Sequence, residues 1–239
     1  AKAAGAVSTW GLRHVARRPA ANLPGKIALA IDPSLLDELR GKCAQGSVIT
    51  VGTNGKTSTN NLLADAFEAA GCTIICNRTG ANLAAGITSA LLQQPAAQWG
   101  VFECDELWLA HVLPRLRSNY VLLLNLFRDQ LDRYGEITHT LNNIIEGIRH
   151  TPESVLCINA DCSLIASIPE HVPNPVVRFG VNVPLGGDDL TEISDAPHCI
   201  HCKTEYVYDY RTYGHLGAFR CPKCGYHREA PQVAGCLLY

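Results

Sequence analysis

Short apolar runs alternate with longer stretches in which apolar positions return at helical spacing, from residue 48 to residue 159. The runs predict strands at 48–51, 73–76, 100–103, 120–125 and 155–159. The stretches between them predict helices at 60–70, 83–93, 107–113 and 137–149. Ahead of this region, residues 3–18 read as an amphipathic helix with Val7, Trp10, Leu12 and Val15 on a loose apolar stripe. Leu23-Pro24-Gly25-Lys26 breaks it, and Asp32-Pro33-Ser34 opens a short helix through Arg40. Strands separated by helix-length segments imply right-handed βαβ units, hence an α/β fold with a mostly parallel sheet. Ligands of such sheets bind beyond the carboxyl ends of the strands, where this order places 52–57, Asn82, Glu103 and 125–132.

Composition narrows the picture. With 239 residues the chain can hold one large domain or two small ones. A net charge of −2 with 18% charged residues gives no electrostatic case for nucleic acid. Residues 1–21 are alanine-rich and carry Lys2, Arg13, Arg17 and Arg18, but no apolar core long enough for a signal peptide lies between these charges. No run is long enough to span a membrane, so the chain is expected to be soluble and cytoplasmic. There is no methionine, even at position 1, and the sequence stops at Leu237-Leu238-Tyr239 as a new apolar stretch begins. It reads as part of a longer protein.

The first strand runs into Gly52-Thr53-Asn54-Gly55-Lys56-Thr57-Ser58, followed by a helical pattern. Strand, glycine turn and helix in that order form a phosphate cradle. Backbone N–H groups and the positive helix end face a polyphosphate, Lys56 reaches β/γ-phosphates, and the Thr57 hydroxyl offers a Mg²⁺ ligand. Thr50 stands where the full P-loop pattern has its first glycine, so the motif is matched in its second half. Glu103 and Asp105 follow the apolar Val101-Phe102, so a carboxylate from this strand end can share the Mg²⁺ with Thr57; an acid at a helix N-terminus is the plainer alternative. The polar run Arg128-Asp129-Gln130-Leu131-Asp132-Arg133-Tyr134 reads equally as a solvated loop.

Eleven cysteines divide into two sets. Cys43, Cys72, Cys76, Cys104, Cys157, Cys162 and Cys236 are scattered and read as buried free thiols. Cys199 and Cys202 form one CxxC pair, and Cys221 and Cys224 another, with 18 residues between the pairs. This is the spacing of a four-thiolate Zn²⁺ site, which is structural because its shell is closed; two disulfides or a redox pair are the alternatives. His198, His201, His215 and His227 read as solvated or supporting neighbours rather than ligands. Residues 204–220, with Tyr206, Tyr208 and Tyr210 alternating, read as the hairpin arms of a ribbon.

The run from Gly52 to Thr57 resembles the ATP loop of the Mur ligases and folylpolyglutamate synthases. The run from Asn125 to Glu136, with the four-cysteine ribbon, is similar to the MurT branch of that family, the synthetase subunits of lipid II isoglutaminyl synthase. The resemblance covers roughly residues 22–228. It implies an N-terminal helical segment at 1–46, a central ATP-binding domain at 47–190, a zinc ribbon insertion at 191–230 and the start of a return to the central domain at 231–239. The family's C-terminal ligase domain is absent from this chain, so residues 1–239 alone are expected to bind nucleotide weakly without turnover. The implied activity is ATP-dependent amidation of the D-glutamate α-carboxylate of lipid II through an acyl phosphate, in peptidoglycan synthesis. The implied partner is a GatD-like glutaminase subunit in a heterodimer, with lipid II met at the cytoplasmic membrane face.

In that scheme Lys56 and Glu103 are catalytic. Gly52, Thr53, Asn54, Gly55, Lys56, Thr57, Ser58 and Asn82 bind ATP, with Asn82 near the γ-phosphate, and Thr57 and Glu103 hold Mg²⁺. Asp129, Gln130 and Asp132 line the acceptor side. Typical Mur ligases have His where Gln130 stands and a carbamylated lysine further on, and no lysine lies between Gln130 and Asp161. The alternatives are therefore an amino-acid-adding ligase, disfavoured on that count, and a non-catalytic zinc-ribbon scaffold.

Overall fold

The structure, a computed structural model, describes residues 1–3, 5, 22–127, 136–183 and 195–235. Seven strands form one sheet: β1 (Cys43–Val51), β2 (Ile74–Cys76), β3 (Ala97–Glu103), β4 (Tyr120–Leu123), β5 (Val155–Asn159), β6 (Val176–Val181) and β9 (Val233–Gly235). Their order is β2-β3-β1-β4-β5-β6-β9, and every pairing is parallel. The remaining two strands, β7 (Val207–Tyr213) and β8 (Leu216–Arg220), make a separate antiparallel hairpin. The α/β fold with a parallel sheet is as the alternating pattern implies, and the hairpin falls where the ribbon arms were expected.

Strand order explains where a ligand can bind. From β1 the chain crosses to one side for β2 and β3, then returns to place β4 on the other flank of β1. The connections after β1 and β3 therefore diverge from neighbouring strands, opening a crevice beyond their carboxyl ends. Register brings Thr50 opposite both Glu103 and Leu122, so the three strand ends are level. Ile49 and Val51 point into the core and are fully buried, each contributing about 1.5–3 kcal/mol by removal from water. Around the sheet lie α1 (Leu23–Ile31), α2 (Leu35–Leu39), α3 (Lys56–Ala69), α4 (Ala84–Gln93), α5 (Leu109–Leu116), α6 (Glu136–Arg149) and α7 (Ser163–Ala166).

Several boundaries differ from the sequence pattern, each for a local reason. Leu23-Pro24-Gly25-Lys26 does not break structure but starts α1, because proline is preorganised for a first helical turn. Gly25 lets α1 press on α4: a Cβ there would lie 1.9 Å from the Ala85 carbonyl oxygen, and the Gly25 N–H donates to Ser89 Oγ at 2.8 Å. β1 begins at Cys43, hidden in sequence by the polar run through Gly46, where the ladder is irregular and Asn119 Oδ1 accepts the Ser47 N–H. α3 begins at Lys56 rather than 60, and α5 runs on through Pro114 to Leu116. β6 has no counterpart in the sequence reading; its residues pair with β5 although prolines precede it. Most of the helix expected at 3–18 and all of 128–135 lie outside the described residues.

Candidate functional site

The glycine loop is shaped by the end of β4. Gly52 is buried at φ +150, and a Cβ on it would come within 3.0 Å of the Asn125 backbone N and O. The Thr53 N–H donates to the Asn125 carbonyl at 3.0 Å, the Asn54 N–H to Asn125 Oδ1 at 2.9 Å, and Asn125 Nδ2 returns a bond to the Asn54 carbonyl at 3.1 Å. Gly55 at φ +81 then turns the chain into α3 without the cost a side chain would bring. Thr57 and Ser58 are exposed on the first turn, where N–H groups lack helical partners and the dipole is positive. Lys56 Nζ folds back to the carbonyls of Gly52 at 2.5 Å and Thr53 at 3.3 Å, and pairs with Glu106 Oε2 at 3.1 Å. The ammonium is thus held over the mouth of the loop.

Glu103 arrives from β3, fully buried beside this loop. Its backbone is clamped by Asn77: the Glu103 N–H donates to Asn77 Oδ1 at 2.9 Å, and Asn77 Nδ2 donates to the carbonyls of Glu103 and Ala81, both at 2.9 Å. Neither carboxylate oxygen has a hydrogen-bond partner among the described residues. Burying a carboxylate costs several kcal/mol unless a cation or donors compensate it. Gly80, at φ +73, leaves a gap in which a Cβ would sit 3.7 Å from Glu103 Oε1 and 3.7 Å from Thr57 Oγ1. Two hard oxygen donors on one gap, one of them an uncompensated acid, fit Mg²⁺. Asn82, half-buried, ends the same loop, and its carbonyl accepts the Asp105 N–H at 2.9 Å. Asp105 Oδ1 itself accepts the Leu107 N–H at 3.0 Å, so it shapes the turn. Asp129, Gln130 and Asp132 lie outside the described residues.

At the other end of the chain, Cys199, Cys202, Cys221 and Cys224 bring their sulfur atoms within 4.8 Å of one another. Two pairs are closer, Cys199 to Cys224 at 3.5 Å and Cys202 to Cys221 at 3.4 Å, and none of the four is in a disulfide. Zn–S bonds of about 2.3 Å place tetrahedral sulfurs about 3.8 Å apart, so the cluster fits Zn²⁺. The two turns are copies of one another. Lys203 N–H returns to the Cys199 carbonyl and Gly225 N–H to the Cys221 carbonyl, with Lys203 at φ 60 and Gly225 at φ 80. The Thr204 hydroxyl, 3.3 Å from Cys202 Sγ, holds that thiol below its ordinary range, while the neighbouring cysteine sulfurs help to hold Cys224 above it, so the four sulfurs titrate as one set.

A family model described as the Mur ligase middle domain matches residues 49–206, which spans the loop, the buried acid and the first knuckle. The chain belongs to the Mur ligase family. Among curated relatives, the MurT subunit of lipid II isoglutaminyl synthase from Staphylococcus aureus (strain COL) is 35% identical over 210 residues, 87% of this chain and 47% of that protein. The MurT subunit from Streptococcus pneumoniae (strain ATCC BAA-255 / R6) is 33% identical over 211 residues, 86% of this chain and 46% of that protein. This Mur ligase chain therefore spans about half the length of the relatives it matches. A pseudomurein peptide ligase type C from Methanothermus fervidus shares the fold at TM-score 0.68 and 22% identity, over 85% of this chain and 40% of that one. MurF from Acinetobacter baumannii shares it at TM-score 0.55 and 21% identity, over 61% of this chain and 34% of that one.

Sequence reasoning missed four residues of this Mur ligase domain that the structure makes prominent. Asn77 and Glu106 are one pair; a lone Asn after a strand and the second acid of Asp105-Glu106 carry no motif. Asp161 and Arg228 are the other. Asp161 Oδ1 accepts from Arg228 Nε at 2.6 Å and Asp161 Oδ2 from the Val181 N–H at 2.9 Å; Asp161 is buried and the Arg228 side chain is 10% exposed. Together with Tyr210, whose hydroxyl donates to the Val181 carbonyl at 2.8 Å, they staple the ribbon to the end of β6. His215, expected to be a solvated or supporting neighbour of the cysteines, is wholly buried. The scattered thiols at Cys43, Cys76, Cys104 and Cys162 are buried and free, and burial pushes each upward, to about 11 for Cys43 and Cys76. Cys72 and Cys157 are half-buried, and Cys236 lies outside the described residues.

Proposed function

We propose that this chain is the nucleotide-binding half of a synthetase subunit that amidates the α-carboxylate of D-glutamate in lipid II to D-isoglutamine, in peptidoglycan synthesis. The observation that carries the reading is the pairing, in one chain, of a phosphate loop facing an uncompensated buried acid with a four-thiol ribbon. Similarity to MurT subunits over most of this chain supports the same reading. The nucleotide is ATP, as the ADP in a Thermotoga maritima MurF structure of the same fold, at TM-score 0.51, suggests for the loop.

In this reading the N–H groups of Gly55 to Ser58 and the Lys56 ammonium cradle the phosphates, Lys56 exchanging Glu106 for β/γ oxygens, while the Thr53 and Asn54 N–H groups stay on Asn125 and hold the loop in shape. Thr57 and Glu103 hold Mg²⁺, which neutralises phosphate charge when bound. Asn82 faces the γ-phosphate, and Asp129, Gln130 and Asp132 line the acceptor side. A carboxylate oxygen of D-glutamate attacks the γ-phosphorus and ADP leaves. Ammonia then attacks the acyl carbon, inorganic phosphate departs with the C–O bond, and a proton is lost to leave the amide. The protein's share is positioning and charge stabilisation. Ammonia comes from a GatD-like glutaminase subunit in a heterodimer, and the reaction takes place in the cytoplasm at the membrane face. No helix among the described residues is long and apolar enough to cross a membrane. The Zn²⁺ ribbon at 191–230 is a structural insertion into a central domain at 47–190, with 1–46 preceding it and 231–239 beginning the return.

The test uses the intact gene product co-expressed with a neighbouring glutaminase. ADP release and product mass are followed with lipid II and ammonium, glutamine or free amino acids. Exchange of OH for NH₂ with ammonium or glutamine is expected. Addition of a whole amino-acid residue would move the chain to the amino-acid-adding ligases, and absence of ADP with every donor would leave a scaffold.

A further inference from the structure

The ribbon touches the nucleotide end as well as the β6 edge. Phe127 follows β4, and its backbone is bonded to the loop: its N–H donates to Thr53 Oγ1 at 3.0 Å, and its carbonyl lies 3.4 Å from the same hydroxyl. The Phe127 ring is packed from the ribbon side by His215, with centroids 4.6 Å apart and planes inclined at 57°, and at its edge by Tyr213 at 5.6 Å. His215 sits at the β7–β8 turn, has no exposed surface, lies 3.9 Å from Cys162 Sγ, and offers its carbonyl to the Tyr208 hydroxyl at 3.1 Å. The hairpin that carries His215 leads through β8 directly to Cys221 and its knuckle. A continuous path therefore runs from the four-cysteine cluster, covalently along β8 to His215 and from there by ring packing and hydrogen bonding through Phe127 to Thr53.

We propose that His215 is a positioning residue through which the zinc-folded ribbon holds the nucleotide loop in its phosphate-receiving shape. The two ends of this relay differ in kind. On the ribbon side the hold is packing of two rings, which a change of hairpin position disrupts. On the loop side it is a hydrogen bond from the Phe127 backbone N–H to the Thr53 side-chain hydroxyl, whose geometry follows the Phe127 Cα. Thr53 lies between the two structural glycines and its own N–H is tied to Asn125, so loosening Phe127 removes one of the few restraints on the loop. Binding of phosphate then requires ordering the loop first, which weakens affinity without altering the chemical step. The inference rests on the reading of 52–57 as the nucleotide loop, and its test is chosen to stand apart from that reading.

The test measures amide hydrogen exchange of peptides covering residues 50–57 in the intact, zinc-loaded protein without nucleotide, alongside zinc content and melting temperature. In His215→Ala the loop exchanges roughly 2- to 12-fold faster, the range set by one aromatic contact, while zinc content is retained. His215→Phe restores protection, and Phe127→Leu reproduces the loss from the domain side, which covers the case of a His215→Ala variant that fails to fold. With ATP as probe, His215→Ala raises KM in the same proportion and leaves kcat unchanged. Loop exchange within twofold of the native protein in both His215→Ala and Phe127→Leu overturns the proposal. A native protein that shows the exchange pattern but binds no ATP removes the proposed function and leaves the relay standing.

Discussion

Two buried carboxylates, one at the end of β3 and one just beyond β5, are treated in opposite ways. Asp161 has a guanidinium on one oxygen and a backbone N–H on the other. Glu103, equally enclosed, has neither. Both side chains follow an apolar strand and both sit at its carboxyl end, so sequence setting does not separate them. The difference teaches which acid belongs to the structure and which to a ligand. A buried charge that is fully partnered joins two parts of the chain, and one left unpartnered beside an open gap is compensated by what binds there. The four thiols form a third group of the second kind, with Cys199 and Cys221 buried, Cys202 half-buried and Cys224 at the surface, gathered closely enough to be compensated by a metal ion.

The comparison can be broken most forcefully at the thiols. Chelating Zn²⁺, or replacing Cys199 and Cys221 with serine, is expected to unfold the ribbon, since structural zinc contributes about 10–16 kcal/mol in small knuckle peptides. Near-ultraviolet circular dichroism of the packed Tyr206, Tyr208 and Tyr226 reports it, and an unchanged spectrum without metal would mean that the ribbon folds alone. Next in size is Arg228→Met, which strands Asp161 and lowers stability to urea by about 3–5 kcal/mol. A loss below about 1 kcal/mol would place Asp161 with Glu103 rather than opposite it.

The buried imidazole gives a pH signature of intermediate size. Desolvation pulls His215 from 6.5 to about 4, against the opposing pull of Asp195 and with a further push from Arg211; Cys162 also faces it. Between pH 6.5 and about 4 the unfolded chain binds a proton that the folded chain does not. Stability is therefore lost as pH falls through that window, by up to about 3 kcal/mol, and His215→Phe removes this component. A native protein whose urea midpoint is no more acid-sensitive than the His215→Phe variant would contradict the burial argument. The smallest effect is the most telling for the site. Glu103→Gln removes an uncompensated charge, so stability stays level or rises, while Mg²⁺-dependent ATP binding falls by about tenfold or more, or 1.4 kcal/mol. Calorimetry decides it, and a stability loss instead would make Glu103 structural.

Much of this was legible in residue order, because the signals are local. A β-rich run, a glycine turn ending in Gly55-Lys56-Thr57 and a helix specify a phosphate cradle through backbone geometry that neighbouring residues impose on each other. Two CxxC turns specify a metal knuckle in the same way, and alternation of strands and helices specifies a parallel sheet. Boundaries such as the start of β1 at Cys43 or the whole of β6 were not legible, because those segments become strands only by pairing with neighbours distant in sequence. Nor was the contrast between Glu103 and Asp161. The sequence by itself determined which residue types stand at the strand ends and in the knuckles. Only the tertiary structure decided that Arg228 reaches Asp161 across 67 residues, that Gly80 leaves Glu103 and Thr57 facing one gap, and that His215 lies on Phe127. Burial and partnership are properties of what folds against a residue, and no local pattern encodes them.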